Sequence, residues 1–143
     1  MAEAIALGDA MRGRTAPNPN VGCVIVSSGA IIGRGATQPG GRPHAEAVAL
    51  DQAGRKAAGA DAYVTLEPCA HDSPRGPACA ALLVAARPAR VTIALKDPDP
   101  RTAGKGIKRL REAGIEVKLG MGRKGAEASL AGYLTRMCLG RPA

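Results

Sequence analysis

The chain has 143 residues, of which 45% are apolar and 22% charged, a composition that suits one globular domain with an ordinary core. Lys and Arg number 20 against 12 acids, a formal charge of +8, which favours an anionic partner or simply keeps the surface solvated. With no Phe, no Trp and only Tyr63 and Tyr133, almost nothing is present on which bases could stack at about 1–3 kcal/mol each, so a small phosphate ester fits the charge better than a nucleic-acid strand.

No apolar run approaches the roughly 18–20 residues of a spanning helix, so no membrane partner is expected. The opening MAEAIALGDAM has no basic leader and no cleavage-type ending, and a cytoplasmic location is expected. In that setting the four cysteines point to metal binding or free thiols rather than disulfides.

In chain order, residues 1–13 read as a helix ended by Gly13, and TAPNPN as a loop. VGCVIV is β-branched and apolar, a buried strand, and SSG turns the chain back into AIIGRGAT. QPGGRP is a loop, and residues 44–54 form a helix stopped by Gly54. AYVTL is the third strand, residues 68–78 an irregular loop, ACAALLVAA a helix halted by Pro88, and RVTIAL the fourth strand. KDPDPRTAGK must turn, GIKRLREAG is a helix, IEVKLG a short fifth strand, and residues 124–139 a closing helix. A hairpin followed by β-α-β crossovers gives an α/β, three-layer α-β-α architecture: a mixed five-stranded sheet with helices on both faces. No linker, repeat or second domain interrupts it, so one domain over residues 1–143 is expected.

Two stretches carry chemistry. GRPHAEAVAL places His44 two residues before Glu46 at a helix start, and LEPCAHDSPRGPAC places Cys69 and Cys79 ten positions apart. One imidazole and two thiols make a three-ligand set for Zn²⁺, leaving a fourth position for water. His44, Cys69 and Cys79 sit at strand-to-helix junctions that gather at one edge of a sheet, and helix N-termini stabilise thiolate there. Glu46 can enter the same pocket without being a ligand; zinc brings the pKa of water down to about 7, and a carboxylate can take that proton and pass it on. The alternative is a structural zinc staple in a binding module, with His71 as the fourth ligand. Cys23, inside an apolar strand, reads as a small hydrophobe, and Cys138 as a bystander.

H-x-E followed by P-C and a second Cys resembles the zinc deaminase signature. The segments NPNVGCVIV, GGRPHAEAVAL, AYVTLEPCAH, KDPDPRTAGKGIKRLREAGIEV and LTRMCLGRP, spread over residues 18–142, resemble the deaminase half of the bifunctional riboflavin-biosynthesis deaminase/reductases, of cytidine deaminase-like fold. That resemblance implies hydrolytic deamination of 2,5-diamino-6-(5-phosphoribosylamino)pyrimidin-4(3H)-one with release of ammonia. By position it implies His44, Cys69 and Cys79 as zinc ligands, Glu46 as proton shuttle, and Asn18 and His71 facing the pyrimidine. Read from the residues alone, Asn18 is equally a turn former beside Pro19, and His71 a solvated loop residue. Arg75 falls where the family has a Lys or Arg, either holding the substrate phosphate or merely exposed, and Lys105 is a weaker phosphate candidate.

Two departures stand out: Thr37 occupies a position where such proteins often carry a His, and the loop between the two cysteines is one residue longer. A reductase domain, fused or acting next in the pathway, is the partner the resemblance implies; with no room for a second domain, no reductase activity is expected in these residues. Deaminases of free nucleobases, nucleosides or tRNA adenosine are the rival reading, but they tend to pair their cysteines as C-x-x-C, which is missing here. A homo-oligomer stays open, because the small-residue helices ACAALLVAA and ASLAGYL serve equally as interface or core.

Overall fold

A computed structural model of the chain describes residues 1–72 and 76–139, with side chains as far as Met137. The chain begins with α1 (Ala2–Asp9) and continues into β1 (Gly22–Ser27) and β2 (Ala30–Ala36). α2 (Ala45–Ala53), β3 (Asp61–Leu66), α3 (Cys79–Ala86) and β4 (Arg90–Leu95) follow. α4 (Lys105–Glu112), β5 (Glu116–Leu119), α5 (Arg123–Ser129) and α6 (Ala131–Leu139) complete it.

Five strands form one sheet in the order β2-β1-β3-β4-β5. β1 is antiparallel to β2 and β3, while β3, β4 and β5 run parallel. The mixed sheet expected from the sequence is therefore present. Its hairpin turns through Ser28 and Gly29, at φ 52° and 78°, the left-handed pair that a two-residue turn needs to match strand twist.

Helices cover both faces. α1 and α5 touch each other and the sheet on one side, and α2, α3 and α4 form a row on the other. The strands buried from both sides, β3 and β4, read as nearly continuous apolar runs, with Ala62, Val64, Leu66, Val91, Ile93 and Leu95 in the core.

Glycines set how closely α2 sits. A Cβ at Gly33 would run into the Ala49 carbonyl oxygen, and one at Gly35 into that of Ala45. Both glycines lie on β2, and α2 answers with its alanine side, Ala45, Ala49 and Ala53 buried. Backbone therefore packs directly on backbone, which places the first turn of α2 firmly against the sheet.

Some boundaries differ from the sequence reading. The first helix stops at Asp9, four residues early, and residues 10–14 continue as turns. The closing helix is broken at Leu130 into α5 and α6. Buried Asn20 explains the break: its Nδ2 donates to the Gly8 carbonyl (3.0 Å) and to the Ser129 carbonyl (3.1 Å) and Oγ (3.3 Å). A carbonyl captured by a side chain does not need the next helical turn, and periodicity along the closing segment carries no trace of that contact.

Candidate active site

His44 is the N-cap of α2, with extended backbone at φ −73° and ψ 162°. Cys69 follows β3 by three residues, and Cys79 is the first residue of α3. Because β3 leads into α3 and α2 leads into β3, these junctions meet at one edge of the sheet. One ligand atom from each of His44, Cys69 and Cys79 lies within 4.8 Å of the others. The His44 Nδ1 stands 3.2 Å from Cys79 Sγ and 3.8 Å from Cys69 Sγ.

The loop between the cysteines is tied at both ends. The Cys79 amide donates to Cys69 Sγ (3.1 Å), the Ala80 amide to the Cys69 carbonyl (3.1 Å), and the Ala78 amide to Asp72 Oδ1 (2.8 Å). Hydrogen bonding from Cys79 holds the Cys69 thiol down to about 4 against desolvation, with His44 adding to the effect. The same sulfur–sulfur contact and burial push Cys79 well above the ordinary thiol range. Two clustered sulfurs and an imidazole are a donor set that fits Zn²⁺, whose charge favours thiolate at both cysteines. Neither His71 nor Glu46 belongs to the group, so among the described residues it holds three ligands, the open pattern rather than the closed structural one.

Glu46 is 3% exposed, in the first turn of α2. Desolvation raises its carboxyl to about 7, with His44 lowering it and Cys69 raising it. It lines a cleft of about 390 Å³ shared with His44, Cys69, Asn18 and His71. The structure thus brings five of the candidate residues to one cavity. Arg75, and the side chain of Cys138, lie outside the described residues. Lys105 opens α4 at an exposed position and does not line the cleft. Cys23 is fully buried on β1, and burial pushes its thiol well up, as suits a small core residue.

Asn18 is half-buried, its backbone locked to Thr15: the Asn18 amide donates to the Thr15 carbonyl (3.0 Å) and the Thr15 hydroxyl to the Asn18 carbonyl (2.9 Å). Its carboxamide rests on Gly41, where φ is 87° and a side chain would collide with it. His71 has a buried Nδ1 without a hydrogen-bond partner among the described residues. Thr37 also lines the cleft, but its hydroxyl accepts the Val21 amide (3.0 Å) and its amide returns a bond to Val21 (3.0 Å). That threonine fastens the end of β2 to the start of β1.

Sequence reasoning missed an acidic wall. Glu67, 2% exposed, accepts the amides of Asp97 (3.1 Å), Gly104 (3.0 Å) and Ile107 (3.0 Å). It pins the DPDPRTAGKGI segment beside the metal ligands. Asp97 and Asp99, both 7% exposed, line the cleft with Tyr133 from α6. Asp99 grips Arg101 through Nε (3.2 Å) and Nη2 (2.8 Å), which holds its carboxyl below the usual range. The available signal was an acid directly before Pro68-Cys69 and two acids at alternate positions after a buried strand.

A family model described as "Cytidine and deoxycytidylate deaminase zinc-binding region" matches residues 1–95. Over 142 residues, 99% of the chain, the sequence is 51% identical to the riboflavin biosynthesis protein RibD of Escherichia coli (strain K12). Among solved structures, Acinetobacter baumannii RibD matches at a TM-score of 0.92 and 49% identity, over 97% of this chain and 39% of that one. The diaminohydroxyphosphoribosylaminopyrimidine deaminase/5-amino-6-(5-phosphoribosylamino)uracil reductase of Thermotoga maritima matches at 0.92 and 36%, over 99% and 41%. The chain spans 38% of the length of the Escherichia coli relative.

Proposed function

The chain belongs to the cytidine and deoxycytidylate deaminase zinc-binding family, and from that premise we propose that it is a zinc-dependent deaminase of 2,5-diamino-6-(5-phosphoribosylamino)pyrimidin-4(3H)-one, acting in riboflavin biosynthesis. One observation carries the reading: three metal ligands within 4.8 Å of one another, with the buried, non-ligand Glu46 facing the same cleft. The names of the relatives, and their identity over nearly all of this chain, support the substrate. On this reading residues 1–143 are a deaminase unit, and a reductase acts as a fused or successive partner.

His44, Cys69 and Cys79 would hold the zinc. Bound there, Zn²⁺ supplies the Lewis acidity that makes hydroxide accessible near neutral pH. Glu46 accepts one proton of the attacking water and delivers it to the ring nitrogen beside the reacting carbon; it then takes the remaining proton from the newly added hydroxyl and passes it to the amine, so that the carbonyl forms as ammonia leaves. Its burial keeps bulk water from competing for that proton. Asn18 offers a donor and an acceptor to the pyrimidine edge, and His71, which lines the same cleft, takes a substrate polar atom. Arg75 is assigned to the phosphate from the sequence alone. The phosphorylated substrate suits a net charge of +8 and a cytoplasmic site of action.

Zinc content measured together with ammonia release tests this, using the diaminopyrimidine phosphate beside cytidine and guanine. One zinc per chain and ammonia from the first alone is the expected result. Turnover of cytidine or guanine in its place overturns the substrate, and zinc-loaded protein inert toward all three overturns the enzyme.

A further inference from the structure

Tyr133 reaches the cleft from α6, the last described element, and is 7% exposed. Its hydroxyl donates to Oδ1 of Asp97 at 2.7 Å. The Asp99 amide donates to the same oxygen at 2.9 Å. Oδ2 of Asp97 receives no donor from a described residue, yet it is not among the sealed-off polar atoms. Asp97 lines the cleft, and with Oδ1 taken by two donors Oδ2 is the oxygen left to meet a ligand there. Two protein donors on one oxygen also fix the rotation of the carboxylate, because turning it would break both bonds.

We propose that Tyr133 is a positioning residue of the cleft: with the Asp99 amide it occupies Oδ1 of Asp97 and so presents Oδ2 as an acceptor for an N–H or O–H donor of the bound aminopyrimidine ribotide. The proposal rests on the deaminase reading above. Its chemistry is specific, since a ligand offering only acceptors to Oδ2 would be repelled.

Substitution at the two positions gives different predictions from loss of packing. In Tyr133→Phe the ring stays and Oδ1 loses one of its two anchors, so Asp97 can rotate. In Asp97→Asn the side-chain oxygen is held by the two donors, and an NH₂ group takes the place of the acceptor facing the cleft. Steady-state ammonia release is measured on zinc-loaded wild type, each variant and the double variant, with the diaminopyrimidine phosphate as substrate. Each single change should raise KM by about five- to tenfold with kcat within about twofold, the scale of one hydrogen bond to a charged group. The double variant should be no worse than Asp97→Asn alone, because Tyr133 acts only through Asp97. An unchanged KM in Tyr133→Phe, or effects that multiply in the double variant, overturns the proposal while leaving the deaminase reading intact. Should Tyr133→Phe fail to fold, an unchanged KM in Asp97→Asn overturns it equally. No ammonia from the wild type overturns the deaminase reading, and the proposal with it.

Discussion

At the scale of single residues, chemistry follows from placing ordinary groups where water is scarce. Glu46 is an unremarkable carboxylate whose burial raises it to about 7. Glu46→Gln keeps its shape and all three metal ligands but cannot carry a proton. It should bind zinc in full and lose turnover by about 10²–10⁴-fold, the usual worth of a positioned acid–base group; metal analysis and ammonia release on one sample check both halves. Asp97 gives a pH signature. Burial raises its carboxyl above the usual range, while the Asp99 amide and the Tyr133 hydroxyl pull it down and Asp99 and Glu67 push it up. The folded chain therefore keeps this proton to higher pH than the unfolded chain. Stability from this group is present below the ordinary carboxylate range and falls as pH rises through the raised value. Asp97→Asn removes that dependence. Its Tm relative to wild type should shift upward as pH rises above the ordinary carboxylate range, about pH 4, whatever the constant offset from the altered hydrogen bonds.

At the scale of elements, the site depends on how closely helices approach strands. α2 carries both His44 and Glu46, and it lies on β2 only because Gly33 and Gly35 present no side chains. Gly35→Val drives a branched side chain into the Ala45 carbonyl and the Ala49 amide, which are backbone and cannot swing aside. Overpacking of this kind costs about 1–3 kcal/mol, and α2 must move. Lower Tm together with reduced zinc content is expected, since the displaced helix takes one ligand with it. Glu67 does comparable work for the opposite wall by satisfying three backbone amides. Glu67→Ala leaves them buried and unpaired at about 1–3 kcal/mol each. Glu67→Gln retains an oxygen for two of the three and turns an amide toward the third. Thermal melts should rank wild type above Gln and Gln well above Ala.

At the scale of the whole molecule, the metal ligands come from α2, the loop after β3 and α3, elements separated in sequence by 25 and 10 residues. Zinc binding requires all of them to be folded together. Ligand present at about 100 times its Kd stabilises a fold by about 2.7 kcal/mol, so chelation should lower Tm by several degrees in a single cooperative transition and abolish ammonia release. Zinc restored to the chelated protein should recover both. Residues 15–20 and the α5–α6 junction show the same long reach: Asn20 bridges α1 to Ser129, and Arg136 donates to the Pro17 carbonyl at 3.0 Å.

The α/β order and the strand positions were legible in the sequence because apolar runs, β-branched residues and Gly or Pro breaks are local signals. The gathering of His44, Cys69 and Cys79 was equally legible, since metal chemistry restricts residue type and helix starts restrict spacing. Hydrogen bonds between distant segments were not: Glu67 under the 97–107 segment, Tyr133 on Asp97, Thr37 clasping Val21 and Asn20 breaking the closing helix. Each joins a side chain to a partner that no periodicity relates to it. Only packing the helices on the sheet decides which polar groups lose their water and must find one another.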